Sequence, residues 1–379
     1  MERKLRIAML GTRGIPASYS GFETCVEQLG ARLVQRGHQV TVYCRSHHIK
    51  LRDRQYKGME LVRLPTIPSK HLDTIVHTFL SCLHAALRRD DVALMFIVGN
   101  SLVSCIPRLA GQKVILNVDG LDWKRTKWGA LARRYIQFAE RLATIWPHAI
   151  VTDSRSVQRY YQERYRAAST YITYGADVER REPGEHLARY RLEPGRYILF
   201  VGRLVPENCV HHLVEAFGRL DTDLKCVIVG DAPYAAGYIA QLQAQAGPNI
   251  LFTGYLFGAG YQELASHAYA FVETSEVGGT HPALLEAMAF GNCVVVNDTP
   301  ENLETIGEAG LAYAGSRGAD ALQEVLAHLL AHPELASQCR ERAVARVREH
   351  YTWDRVADEY EALCYRVLDG VAVGARGVL

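Results

Sequence analysis

The chain has 379 residues, 48% apolar and 22% charged, with a formal net charge of +2. That length makes two domains the default, the composition is that of an ordinary globular protein, and so small a charge gives no argument for nucleic acid as the main partner. Nine scattered cysteines with no C-x-x-C pair argue for a reducing, cytoplasmic setting without structural zinc, and no run reaches the roughly 18 apolar residues of a membrane span.

Residues 5–10 (LRIAML) read as a short buried strand, which is too short to be a secretory signal. Gly11 and Gly14 follow at once, then Gly21 and Glu23 open a helix that runs to about residue 36. Strand, glycine loop and helix in that order begin a Rossmann-like unit. The fingerprint G-x-G-x-x-G is missing, which argues against a nicotinamide cofactor; a plain tight turn is the bland alternative. Strands are expected over 39–43, 60–64, 92–98, 113–118 and 148–152, with helices over 72–87, after Ser101, and from Ser154 to about residue 165. Asp119 ends the strand 113–118, where open α/β sheets place ligand groups, although Asp-Gly is also a common turn pair. Residues 121–134 are basic and aromatic: Lys124, Arg125, Lys127, Arg133 and Arg134 stand among Trp123 and Trp128. This patch suits an anionic acceptor or an acidic inner-membrane surface, or it is simply a solvated face.

Composition shifts over 174–195, a charged stretch with Pro183, Gly184, Pro194 and Gly195 that reads as a linker. A second α/β pattern begins there, with strands over 197–201, 224–229, 249–252 and 270–273 and helices over 320–330, 333–350 and 353–368. The alternation implies parallel sheets covered by helices, and two such halves suggest a cleft. Residues 275–300 (SEVGGTHPALLEAMAFGNCVVVNDTP) are the most informative stretch. Gly278 and Gly279 let a backbone approach a ligand, Thr280 can cap a helix, and Pro282 suits its first turn. Gly291 stops that helix, and 293–296 reads as a buried strand. A helix N-terminus behind a glycine loop is an anion site, and Glu286, one turn inside, can accept from hydroxyls beside the anion. A glutamate there also favours the helix dipole with no ligand at all. His281 either meets the ligand or packs at the helix start. No His/Asp cluster shows ligand spacing, so no metal is expected.

Three segments, GTRGIPASYSGFE, VGRLVPEN and GGTHPALLEAMAFGNCVVVNDTPEN, make the chain resemble a family-4 glycosyltransferase of the GT-B fold along nearly its whole length. The first, with NVDGLDWKR, is similar to a subgroup that includes bacterial rhamnosyltransferases of cell-surface polysaccharide assembly. The resemblance implies an α/β architecture of two Rossmann-like doubly wound domains across a cleft. Residues 1–175 would bind the acceptor and 176–352 the donor, with 353–379 returning to the N-terminal domain. It also implies a retaining transfer, with dTDP-β-L-rhamnose as donor, a glycan or lipid-linked acceptor, no separate cofactor, and a protein that is cytoplasmic or peripheral on the inner membrane.

By the same resemblance, Arg203 would bind the diphosphate, Glu286 the ribose, and Gly254 and Tyr255 would lie near the base. Gly278, Gly279, Thr280, His281, Leu285 and Asn208 would line the donor pocket. Gly11 and Gly14 would form loops near the donor phosphates, while Gly21, Glu23, Lys124 and Arg125 would serve the acceptor and Asp119 would orient the reacting groups. Three positions depart from the family pattern. Gly278 replaces the first of two glutamates, Asn208 a lysine, and Asp119 an N-terminal histidine. Losing one cation leaves Arg203 and helix dipoles to neutralise the leaving phosphate. Losing a glutamate removes an acceptor for sugar hydroxyls, which is compatible with a 6-deoxy sugar. The competing classes are a nucleotide-sugar epimerase or phosphorylase of the same fold, a non-catalytic nucleotide-sugar binder, and a dinucleotide-dependent oxidoreductase, the last disfavoured by the missing fingerprint.

Overall fold

A computed structural model describes residues 3–17, 21–69, 72–125 and 128–371. It divides into one unit formed by Met1–Tyr174 with Trp353–Leu379 and another formed by Gly175–Thr352.

The first unit is built on eight strands: β1 (Arg6–Leu10), β2 (Gln39–Arg45), β3 (Gln55–Tyr56), β4 (Met59–Leu64), β5 (Val92–Phe96), β6 (Lys113–Asn117), β7 (Ala149–Thr152) and β8 (Thr170–Tyr171). Their order is β3-β4-β2-β1-β5-β6-β7-β8, parallel throughout except for the β3–β4 hairpin. Ile7 pairs with Val40 on one side and Val92 on the other, so the strand order reverses at β1. The central strands are apolar at nearly every position because helices cover both faces. Cys82 and Ala85 of the helix Asp73–Arg88 share one core with Ile136 and Ala143 of the helix Ala130–Ala143. The last helix, Trp353–Leu368, belongs to this unit and packs on the first, Gly21–Gln35. Its buried positions Trp353, Val356, Tyr360, Leu363 and Val367 recur every three or four residues, as one helical face requires. Arg32–Asp354 at 2.9 Å, Arg36–Glu361 at 2.7 Å and His38–Glu361 at 2.6 Å rim the contact. Burying each large apolar residue is worth about 1.5–3 kcal/mol and an exposed ion pair about 0.2–1 kcal/mol, so the apolar face holds the helix and the pairs orient it.

The second unit carries β9 (Tyr197–Val201), β10 (Lys225–Val229), β11 (Ile250–Gly254), β12 (Ala270–Glu273), β13 (Cys293–Asn297) and β14 (Leu311–Tyr313). They form an all-parallel sheet in the order β11-β10-β9-β12-β13-β14, reversing at β9. Both units are thus Rossmann-like, in agreement with the expected fold class.

Several local expectations are corrected. The strand expected over 92–98 ends at Phe96, because Ile97 takes a left-handed φ of 72° and the chain turns into a 3-10 helix, Val98–Ser104. Ser101 does not cap the next helix: its hydroxyl donates to Val98 O at 2.6 Å. Ser154 does cap the helix Arg155–Tyr165, accepting from Val157 N at 3.3 Å. The linker stretch contains a short helix, Glu185–Arg189, whose first amides are held by the Glu263 carboxylate. No helix among the described residues is long and apolar enough to cross a membrane.

Candidate active site

In an open parallel sheet, ligands bind beyond the carboxyl ends of strands where the order reverses. In the second unit this point lies between β9 and its neighbours, so the loops after β9 and β12 flank it. The first carries Arg203 and the second carries Gly278–His281. They are tied together: Glu276 N donates to Glu207 O at 3.0 Å, and the Thr274 hydroxyl donates to Asn208 O. Asn208 is buried, and its Nδ2 donates to Arg203 O at 2.9 Å. It therefore braces the arginine loop. The β10 end closes on this loop, since a Cβ on Gly230 would come within 1.8 Å of Gly202 O; only glycine allows that approach.

The helix after the glycine loop is Pro282–Ala289, and Gly291, at φ 80°, ends it. Its cap position is His281, not Thr280, and no side chain caps it. Thr280 is buried in the loop before it. The amides of Leu284 and Leu285 both turn back to His281 O, and Pro282 has none. Leu285 is fully buried besides. A Cβ on Gly278 would lie 2.5 Å from His281 Cε1, so the imidazole rests against this glycine, as the packing reading of His281 requires. Gly279 is buried beside it.

Glu286 stands one turn into the helix and accepts from the Tyr261 hydroxyl at 2.6 Å. Burial raises its carboxyl above the usual range, Tyr261 opposes this, and Asp177 adds to it. Burial and the same carboxylate push the Tyr261 phenol well up, so it stays a neutral donor. Gly254 ends β11 at φ 71°, and Tyr255 stacks on Phe257 with ring centroids 5.6 Å apart and an interplanar angle of 21°. Both rings are exposed. The sequence reading missed Tyr261 and Phe257; the only available signal was that aromatics cluster just after β11.

In the first unit the corresponding reversal lies between β1 and its neighbours β2 and β5. Gly11 and Gly14 have φ of 98° and 103°, and both are buried. A Cβ on Gly11 would lie 2.5 Å from Phe96 O, and one on Gly14 would lie 2.5 Å from Cys44 Sγ. Packing alone demands these glycines. Glu23 is buried and accepts from Arg13 N at 2.9 Å, so it fastens the loop; Gly21 begins the helix. Asp119 follows β6 with φ 58°, uncommon for a residue with a Cβ, and its amide donates to Asn117 Oδ1 at 3.0 Å. The Tyr174 hydroxyl lies 3.4 Å from Asp119 Oδ1, and burial first, then Asp119, raises that phenol well above its ordinary value.

The basic patch is only partly as expected. Arg125 pairs with Asp122 at 2.7 Å, Lys124 is exposed, and Trp123 and Trp128 pack inward against the core. Lys127, and Ser20 before Gly21, lie outside the described residues. Folding also brings together ligand-type atoms that spacing did not reveal. Cys209, His211 and His212 lie within 4.8 Å of one another, as do His47, His48 and Asp73. Each group has other work: Tyr238 and Tyr313 hydroxyls meet His211 and His212 at 3.0 and 3.2 Å, and Arg45 pairs with Asp73 at 2.6 Å, which disfavours a second cation there.

Comparison with known proteins bears on the second unit most directly. Residues 186–346 match the family of group 1 glycosyl transferases. Residues 4–177 match a domain of unknown function, DUF1972. No curated protein gives a significant match. Among solved structures, the chain is similar to sucrose-phosphate synthase from Thermosynechococcus elongatus (TM-score 0.83, 20% identity, 97% of this chain and 100% of that one). It is also similar to Anabaena HepE in complex with UDP-glucose (TM-score 0.77, 15% identity, 95% and 100%). A third similar structure is WaaG, a glycosyltransferase involved in lipopolysaccharide biosynthesis (TM-score 0.69, 16% identity, 93% and 98%). At these identities the likenesses establish the fold, which is GT-B. With the matched domain, they support a GT-B glycosyltransferase.

Proposed function

We propose that the chain is a retaining glycosyltransferase of cell-surface polysaccharide assembly. It would take L-rhamnose from dTDP-β-L-rhamnose and pass it to a glycan or lipid-linked saccharide at an inner-membrane surface, with no cofactor beyond the nucleotide sugar. The observation that carries the reading is the fastening of the arginine loop to the glycine loop at the switch point of the second unit, with Glu286 one helical turn beyond.

Transfer from a nucleotide sugar needs charge stabilisation on the departing diphosphate and an acceptor held close to the anomeric carbon. Arg203 supplies a planar cation suited to phosphate, and the Gly278–Gly279 loop supplies backbone donors. Because the Leu284 and Leu285 amides are spent on His281, the loop rather than the helix end provides most of these donors. Glu286 receives the ribose hydroxyls, and the exposed Tyr255–Phe257 pair beyond Gly254 offers the base a stacking surface. For retention, the acceptor attacks from the face the phosphate leaves, and a phosphate oxygen takes its proton. Asp119 orients the reacting groups without becoming a nucleophile.

A UDP-sugar is the second reading, because HepE, similar in fold, is seen with UDP and with UDP-glucose. Thermal-shift screening against dTDP-, UDP- and GDP-sugars separates the two, since a donor that binds the native state alone raises the melting point. The dTDP-sugar should give the largest rise, and none from any of the three would remove the proposal. A donor-only incubation that releases free sugar would instead indicate an epimerase.

A further inference from the structure

The expected membrane patch was the basic and aromatic segment 121–134, but its tryptophans point inward. A wider surface of the first unit, which takes in Leu131, Arg133 and Arg134 of that segment, is apolar and exposed. The helices Asp73–Arg88 and Ala130–Ala143 cover the same side of the sheet, and both pack against the segment Val98–Ser104 that leads into the short helix Cys105–Leu109. Their inner sides fill the core. Their outer sides carry Phe79, Leu87, Leu109, Leu131, Tyr135 and Phe138, all exposed, with Leu87, Leu109 and Leu131 at 85%, 81% and 82%. In the helix Ala130–Ala143, Leu131, Tyr135 and Phe138 recur at helical spacing beside the buried Ile136, Ala139 and Ala143, so the apolar face of this helix runs on past the core into solvent. Single exposed leucines need no explanation, but a group gathered on neighbouring elements marks an interaction surface.

The charge around this surface identifies the occupant. Among the described residues from 72 to 145, the exposed charged side chains are Arg89, Arg108, Lys124, Arg133, Arg134 and Arg141, and none is acidic. Asp90 and Glu140 are buried, Asp73, Asp91 and Asp122 are only partly exposed and paired with arginines, and Asp119 is partly exposed and accepts from the Tyr174 hydroxyl. A two-fold contact between copies of this chain would set these cations against their own equivalents. A surface of negative headgroups over hydrocarbon complements both features: arginines meet phosphates, and leucine and aromatic side chains enter the acyl boundary. We infer that the outer faces of helices 73–88, 105–109 and 130–143 form the site at which this protein docks on an anionic lipid bilayer. The inference deepens the reading of an enzyme at a membrane surface, but its test needs no sugar transfer.

The full chain is sedimented with vesicles of phosphatidylcholine alone and of phosphatidylcholine with phosphatidylglycerol. Binding is expected only to the second kind. It should fade with added salt, as the screening length falls from about 10 Å at 0.1 M to 3 Å at 1 M. Each basic residue near an anionic surface contributes about fivefold, so R133E/R134E, which removes two cations and adds two repelled carboxylates, should weaken binding by at least about 25-fold. L131S/F138S should abolish most of it, and the exposed pair R342E/R348E on the second unit should leave it unchanged. All three variants change exposed residues, and their melting points check that the fold is kept. Equal binding to neutral vesicles, or losses no larger than in R342E/R348E, overturns the inference. A dimer that L131S/F138S disperses, without vesicle binding, would assign the face to a second copy instead. Nucleotide-sugar thermal shifts on the same variants keep this outcome separate from failure of the glycosyltransferase reading.

Discussion

The loop after β1 and the loop after β12 are both rich in glycine, but their glycines are crowded by different things. Gly11 and Gly14 sit at left-handed φ and lie against the carbonyl of Phe96 and the thiol of Cys44. The atoms nearest a Cβ on Gly278 belong to the ring of His281. The first loop is fastened by a buried carboxylate, Glu23. The second is joined to a loop that carries an arginine, with a partly buried glutamate nearby. Glycine therefore marks a loop in both units, and the polar groups around it, not the glycine itself, distinguish the two loops.

The sharpest test of that distinction is Arg203→Ala. If the second loop handles the diphosphate, turnover with a nucleotide sugar should fall about 10²–10³-fold, the usual cost of losing one group that stabilises a developing charge. The melting point without ligand should barely move. A large loss of stability with normal turnover per folded molecule would make Arg203 part of the scaffold. Asp119→Asn comes next. It keeps the shape and the strained backbone while removing the charge, so turnover should drop about 100-fold with nucleotide affinity nearly intact. Isothermal titration with nucleoside diphosphate checks the second half, and unchanged turnover takes Asp119 out of the chemistry.

The glycines can be compared directly by alanine substitution. Gly14→Ala combines a left-handed backbone with a Cβ lodged against Cys44, and overpacking of this kind costs about 1–3 kcal/mol. Gly278→Ala should cost less, because a side chain can move where a backbone cannot. Most of its cost should vanish in the double variant Gly278→Ala/His281→Ala, which removes the ring. Urea unfolding of the four proteins provides the comparison. Equal, additive losses would show that Gly278 is crowded by something other than His281.

Much of the fold was legible because many of the strands are short apolar runs, several of them followed by glycine, and fully buried parallel strands leave little else to read. Residues 197–201 and 270–273 became β9 and β12 as expected. The departures arose where a tertiary contact decides a local choice. Ile97 is β-branched and should extend β5, yet it turns left-handed where Asn100 folds back to bond Phe96 O. The resemblance placed Leu285 and Asn208 at the donor pocket, and only packing shows that Leu285 faces the core and that Asn208 is bonded to the arginine loop. The exposed apolar face was invisible for a similar reason. Leu87, Leu109 and Leu131 lie in ordinary amphipathic patterns, and only packing shows which apolar residues remain outside.

The smallest effect concerns Glu286, a group whose pKa burial raises. A carboxyl raised on folding contributes stability that is present below the unfolded value of about 4.5 and lost as pH rises through the folded value. At neutral pH the charged form is thus held at a cost, which Tyr261 partly offsets by donating to it. Ribose hydroxyls would offset it further, so nucleotide affinity should be flat at neutral pH and fall on acidification, starting above the range of an ordinary carboxylate. Tyr261→Phe removes the donor that favours the charged form. The acid midpoint should then move to higher pH, and affinity at neutral pH should fall about fivefold, corresponding to about 1 kcal/mol for one hydrogen bond. A general loosening of the helix would lower affinity equally at every pH. A midpoint that stays in place in Tyr261→Phe would therefore separate Glu286 from the nucleotide and return it to the bland reading, an acid that merely suits a helix dipole.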